Sequence, residues 1–345
     1  MTSYALWNNK GGVGKSFLCF VASCEYAQTH PESDVYVVDL CPQGNVSETL
    51  LGGQSSGAKN LSKLTTLTPR ATIGGYLESR LSSPFQTLLD ISPYVVQPHK
   101  YNKQIPSNIH LVSGDNFVEL LAEPIRQASQ LALPLDAWKK VMLWVHDLVN
   151  QLRIDSGDRD SVFFIDCNPS FSIYTQQAIV ASDSLIIPFT PDESSRRGVE
   201  NVAALLYGVT NSPASSTYAR LSFSGKADEQ GVRLPKLRHF INNRVTFYEG
   251  KPSKAFAAAS KGIRETVDSF YSKRKSLFEI KDKKPSTYFI DIPDNHSANI
   301  VCALNGTPLS KLKAGPHEIR GERIQVNIAP LNRYKAALAK FVKQL

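Results

Sequence analysis

The segment Asn9-Lys10-Gly11-Gly12-Val13-Gly14-Lys15-Ser16 constrains the fold of this 345-residue chain more than any other. It joins a short apolar run, Tyr4-Ala5-Leu6-Trp7, to a second one, Phe17-Leu18-Cys19-Phe20-Val21-Ala22. Glycines at this density let successive backbone N–H groups face one point, the Lys places a charge on β and γ phosphate oxygens, and the hydroxyl is a ligand for Mg²⁺. A buried strand before the loop and a helix after it are the setting such a loop needs, because the helix N-terminus then points at the anion. The pattern predicts a nucleoside triphosphate site on a doubly wound, mainly parallel α/β sheet. Asn9 occupies the place of the usual first Gly.

Two further apolar runs end in carboxylates. Asp34-Val35-Tyr36-Val37-Val38-Asp39 leads into Leu40-Cys41-Pro42-Gln43-Gly44-Asn45, and Ser161-Val162-Phe163-Phe164-Ile165-Asp166 leads into Cys167-Asn168-Pro169-Ser170. A carboxylate at the end of a buried parallel strand lies beside the phosphate loop, where Asp39 and Asp166 suit Mg²⁺ or its waters, with Ser16 opposite. Strands are expected near residues 3–8, 34–40, 109–113, 161–167, 184–189, 237–243 and 287–291. A polar stretch beginning at Gly52-Gly53-Gln54-Ser55-Ser56-Gly57 and running to about residue 70 reads as mobile. Leu135 to Leu152 reads as one amphipathic helix whose face, Trp138, Val141, Met142, Trp144, Val145, Leu148 and Leu152, belongs in the core.

Taken in order, these motifs resemble the deviant Walker A ATPases of the ParA/MinD type, a P-loop NTPase family. Lys10-Gly11-Gly12-Val13-Gly14-Lys15-Ser16 matches the family's loop, the Asp39 segment resembles D-x-D-P-Q-G-N, and Ile165-Asp166-Cys167-Asn168-Pro169-Ser170 resembles I-D-C-P-P-S. Ser184-Leu185-Ile186-Ile187-Pro188-Phe189-Thr190-Pro191-Asp192 resembles the strand and loop that flank the adenine base. Arg238-His239-Phe240-Ile241-Asn242-Asn243-Arg244 resembles the strand whose terminal Asn reads the adenine edge, with Asn242 and Asn243 equal candidates. Ile292-Pro293-Asp294 and Asn305-Gly306-Thr307-Pro308-Leu309 resemble the closing loop and the turn after it. The resemblance spans most of the chain and implies one domain over 1–345, with insertions at about 53–108 and 114–160 and a final helix at about 329–345.

The resemblance implies ATP and Mg²⁺ as ligands. Gly11, Gly12, Val13, Gly14, Lys15, Ser16, Phe17 and Pro191, with Asn242 or Asn243, would hold the nucleotide, and Ser16, Asp39 and Asp166 the metal. Catalysis would draw on Lys15, Asp39 and Lys10, the last reaching the phosphates of a partner across an ATP-dependent homodimer. The family's second carboxylate, which orients the attacking water, is Cys41 here. A thiol positions water poorly, so hydrolysis is expected to be weak or dependent on a partner.

Composition fits an intracellular enzyme-like body: 42% hydrophobic and 20% charged residues, with five cysteines that form no C-x-x-C pair. No run approaches the roughly 18 apolar residues of a membrane-spanning helix, so a cytoplasmic protein is expected. The net charge of +8 favours polyanions. Arg238, Lys251, Lys254, Lys261 and Arg264 fall where ParA-type relatives contact DNA phosphates without reading sequence, and a nucleoid-associated partition switch with a ParB-like partner is the implied function. The alternative is a MinD-like positioning protein that recruits a membrane or another apparatus. Its support is the last segment, where Leu331, Tyr334, Leu338, Phe341, Val342 and Leu345 recur at helical spacing beside Arg333, Lys335, Lys340 and Lys343. Docking of that face on the sheet is the favoured outcome.

Overall fold

The structure is a computed structural model that describes residues 2–209, 221–245, 247–248, 251–252 and 254–345. A seven-stranded sheet has the order β3-β2-β4-β1-β5-β6-β9, and its neighbouring strands are parallel. In chain order its strands are β1 Thr2–Leu6, β2 Asp34–Leu40, β3 Ile109–Val112, β4 Ser161–Cys167, β5 Ser184–Phe189, β6 Lys236–Val245 and β9 Ile290–Pro293. Two small antiparallel ribbons stand apart from it: β7 Phe247–Tyr248 with β8 Lys251–Pro252, and β10 Gly315–Ile319 with β11 Glu322–Val326.

Both faces of the sheet are covered, which is why the central strands are nearly continuous apolar runs. Alternate residues of each strand serve opposite cores. Ala5, Val38 and Phe163 belong to one, whereas Leu6, Val37 and Phe164 belong to the other. The first core is closed by α4 Ile73–Ser82, α5 Phe117–Ala128, α6 Ala137–Met142, α7 Trp144–Asp155, α8 Ile173–Val180, α9 Glu193–Tyr207, α10 Phe223–Glu229 and α11 Lys254–Lys273. The second is closed by α1 Lys15–Thr29, α2 Asn45–Leu50, α3 Gly53–Thr65, α12 His296–Asn305 and α13 Ile328–Val342.

The strand expectations hold for β1 to β6 to within a few residues at their ends, while the last strand starts later because a 3₁₀ turn at Pro285–Thr287 precedes it. Two expectations need correction. The polar stretch after Gly52 is helical, forming α3, because Leu61 and Leu64 pack into the second core. The helix expected from Leu135 to Leu152 is two helices, α6 and α7, joined at Leu143. Positions 138 and 144 lie about 120° apart on a continuous helix, and the break lets Trp138 and Trp144 enter the same core. The rest of the expected core face is buried as read.

Helix α13 turns Leu331, Tyr334, Leu338, Phe341 and Val342 inward. Arg238 at the amino end of β6 clamps its end, donating to the Gln344 carbonyl at 2.6 Å, and the Tyr4 hydroxyl donates to the Leu345 carbonyl. The apolar face that would be needed to grip a bilayer is therefore core. Among the described residues, no helix is long and apolar enough to cross a membrane.

Candidate functional site

The loop between β1 and α1 lies at the carboxyl edge of the central strand, where open α/β sheets present their crevice. Gly12 and Gly14 have φ of 75° and 84°, a left-handed backbone that admits the tight turn. A Cβ at Gly14 would stand 2.4 Å from Asn243 Nδ2. Side-chain amides tie the loop down from several directions. Asn8 donates to the Pro188 carbonyl at 2.9 Å and accepts from the Lys10 N–H at 3.0 Å. Asn9, in the place of the usual Gly, donates to the Pro169 carbonyl at 3.2 Å and accepts from Asn201 at 3.0 Å. Asn243 donates to the Val13 carbonyl at 2.9 Å.

Lys15 is buried and folds back on the loop, donating to the Lys10 carbonyl at 2.9 Å and the Asn8 carbonyl at 3.3 Å. Burial lowers its pKa, and nearby Asp166 offsets part of that. A cavity of about 420 Å³ opens above it, within the range of small-molecule sites. It is lined by Gly12, Gly14, Lys15, Ser16 and Phe17 of the loop and α1, by Cys41, Gln43, Asn45 and Glu48 from the segment after β2, and by Gln54, Ala303, Leu304 and Arg244.

Asp39 and Asp166 are register partners on β2 and β4, and both are fully buried. They differ in what they hold. Asp39 accepts from the Cys41 N–H at 3.0 Å and from the Ser47 N–H and hydroxyl at 3.2 and 2.7 Å, so both its oxygens already fix the loop that leads into α2. Neither Asp166 oxygen makes a hydrogen bond of good geometry, although the Ser16 hydroxyl and Lys15 lie near enough to favour its charged form. Burial and the neighbouring Asp39 push the Asp166 carboxyl up to about 8, and burial pushes Asp39 up to about 6. An orphaned buried carboxylate beside Ser16 fits a divalent cation, which would relieve that burial penalty. Burial and the two carboxylates push the Cys41 thiol up to about 12, leaving it neutral and unfit as a base.

Lys10 points away from the cavity. Its ammonium donates to both Asp192 oxygens at 2.6 and 2.8 Å and to the Thr190 and Ser195 hydroxyls at 3.1 Å. Asp192 also caps α9, accepting from the Ser195 N–H at 2.8 Å. Burial opposes its ionisation, but Lys10 and the cap hydrogen bonds win and hold its pKa well below the usual range. The Asp-x-x-Ser spacing announces a helix cap; nothing in the sequence shows that Lys10 reaches it.

The remaining expected residues divide. Pro191 lies at the head of α9 beside this Lys10 contact, and it does not line the cavity. Asn242 donates to Asp291 at 2.9 Å and Ser260 at 3.2 Å, while Asn243 faces the phosphate loop, so of the two it is Asn243 that touches the site. In the basic set, Lys254 and Lys261 are exposed on α11, with Lys261 only 3.8 Å from Glu265. Arg264 instead donates to the Ser286 carbonyl and covers the Phe289 ring, and Arg238 holds Glu279 and the chain end. Both arginines are thus tied into the body of the molecule. The Lys251 side chain lies outside the described residues. Arg244, which also lines the cavity, is not among the expected contacts.

The AAA domain family model matches residues 1–216. A ParA family protein of Chlamydia pneumoniae is 22% identical over 196 residues, covering 50% of this chain and 76% of that protein. Among solved structures, a McdA–ATP complex from Cyanothece is similar with a TM-score of 0.55 and 15% identity, covering 98% of this chain and 96% of that one. A plasmid partition protein of Borrelia burgdorferi bound to AMPPNP gives a TM-score of 0.54 at 14% identity, with 100% and 99% covered. At such identities, the structural likeness is one of fold.

Proposed function

The chain belongs to the ParA/MinD-type AAA domain ATPases, and from that premise we propose that it is an ATP-gated dimerising switch of the partition kind that holds DNA of arbitrary sequence while ATP is bound. The observation that carries this reading is a glycine-rich loop with Lys15 and Ser16 at a cavity, preceded by a second lysine, Lys10, whose ammonium points away from that cavity to Asp192. Lys15 and the loop amides would bind the triphosphate. Ser16 and Asp166 would hold Mg²⁺, and Asp39, already fastened to α2, would keep the neighbouring loop in place and reach the metal's waters. Bound Mg²⁺ would neutralise charge on the transferring phosphoryl group.

Hydrolysis is proposed to be slow. Phosphoryl transfer needs a group that orients the attacking water, and the neutral Cys41 thiol offers neither charge nor a strong acceptor. Lys10, once released from Asp192, would reach the partner's phosphates. Lys254 and Lys261, exposed on α11, are proposed phosphate contacts, joined by Lys251. Contacts of this type carry no base information and weaken steeply with salt.

The test is retention of random-sequence DNA by the full chain with and without Mg-ATP. Retention is expected only with ATP, and Lys10→Ala and Lys15→Ala should each abolish it. Equal retention without nucleotide overturns the proposal. A Cys41→Asp variant should hydrolyse ATP severalfold faster than the wild type.

A further inference from the structure

Hydrolysis needs a group that orients a water and takes up its proton, and the carboxylates around the phosphate loop are not equally free to do so. Both Asp39 oxygens are occupied by Cys41 and Ser47, and Asp166, buried beside Ser16, is committed to the cation once that is bound. Glu48 is different. Among the described residues it is the only acidic side chain that lines the cavity, and its carboxylate has no hydrogen-bond or ion-pair partner there.

Its place is fixed from two sides. Asp39 holds the Cys41 N–H with one oxygen and the Ser47 N–H and hydroxyl with the other, so one buried carboxylate sets the offset between the loop after β2 and the first turn of α2, where Glu48 follows Ser47. Helix α3 closes the other side. A Cβ at Gly57 would stand 2.0 Å from the Glu48 carbonyl oxygen and 3.3 Å from its Cγ, so the glycine lets α3 meet α2 at the stem of this side chain. Side chains on a helix lean toward its amino end, which directs the Glu48 carboxylate back toward the loop that carries Cys41. Cys41 lines the same cavity as a neutral thiol and offers a water there no charge.

We propose that Glu48 is the water-orienting residue of ATP hydrolysis in this chain. Its carboxylate accepts a hydrogen bond from the attacking water. As the water oxygen bonds to the γ-phosphorus, the bond from that phosphorus to the β,γ-bridging oxygen breaks with its electron pair left on ADP, and the water's proton passes to Glu48 and then to solvent. The side chain is long and partly exposed, so it holds the water loosely, in keeping with slow turnover. The inference rests on the ATP-hydrolysis reading of this cavity.

Single-turnover hydrolysis and calorimetric titration of the full chain with Mg-ATP test it together. Glu48→Gln keeps the shape and removes the base, so hydrolysis should fall about a hundredfold, the low end of what a positioned base supplies, with ATP affinity as in the wild type. Glu48→Asp should restore part of the rate. In a Cys41→Asp background, Glu48→Gln should cost severalfold less, because the introduced carboxylate shares the water. Unchanged hydrolysis in Glu48→Gln overturns the inference, and so does a loss matched by an equal loss of ATP affinity, which would make Glu48 a prop of the cavity. A wild-type chain that binds ATP but hydrolyses it no faster than Lys15→Ala overturns the inference and leaves the nucleotide reading standing; one that binds no ATP overturns both.

Discussion

Two side chains at the phosphate loop have electrostatic environments that can be tested one residue at a time. Asp166 is a buried carboxyl with a pKa raised to about 8, while in an unfolded chain it titrates near 4. The folded state therefore keeps a proton that the unfolded state loses between about pH 4 and 8, so this group's contribution to stability is full below that window and is lost as pH rises through it. Asp166→Asn should flatten the fall in Tm with pH of the nucleotide-free protein; an identical slope in the variant would show that the group titrates normally. The second is Asp192, which binds Lys10 at 2.6 Å within one chain. Asn at this position keeps the helix cap and removes the charge. Asp192→Asn should lower Tm only modestly, as befits a half-exposed ion pair, and lower the ATP concentration needed for dimerisation, whereas an unaltered ATP dependence would mean that the ion pair does not restrain Lys10.

At the scale of elements, the wall of the cavity depends on how closely α3 approaches α12. A Cβ at Gly53, whose φ is 67°, would stand 2.3 Å from the Leu304 carbonyl oxygen, and backbone cannot yield as a flexible side chain does. Gly53→Ala should cost about 1–3 kcal/mol in urea unfolding by overpacking and should weaken nucleotide binding through displaced Leu304; unaltered stability would show that the helices separate freely. This contact also marks the limit of what could be read in advance. β2 and β4 were legible to the residue because buried parallel strands are nearly continuous apolar runs, here closing on Asp39-Leu40 and Asp166-Cys167. Helix α3 was not, since its sequence is polar and its helical state comes from packing Leu61 and Leu64 and from backbone contact with a segment far along the chain. The break at Leu143 was likewise hidden, because periodicity reports which residues are apolar and not whether one face must turn to bury both tryptophans. In the site, spacing located the glycines, Lys15 and Asp166. The Lys10 contact with Asp192 and the Asn243 contact with Val13 depend on side chains meeting across β5 and β6, which no local pattern records.

For the whole molecule, the decisive feature is that the Lys10 ammonium is held on Asp192 and does not line the cavity where Gly12, Gly14, Lys15 and Ser16 are assembled. Both apolar cores are closed and α13 is docked, so the account assigns gating to ATP-dependent association and not to release of that helix. The most direct measurement is the sedimentation velocity of the full chain with Mg-ATP, with Mg²⁺ alone, and with Lys10→Ala in Mg-ATP, ATP binding being followed in the same samples. The account predicts a dimer for the wild type with Mg-ATP only, and a Lys10→Ala chain that binds ATP yet stays monomeric. A dimer that forms equally well without nucleotide, or a Lys10→Ala chain that dimerises like the wild type, would contradict it.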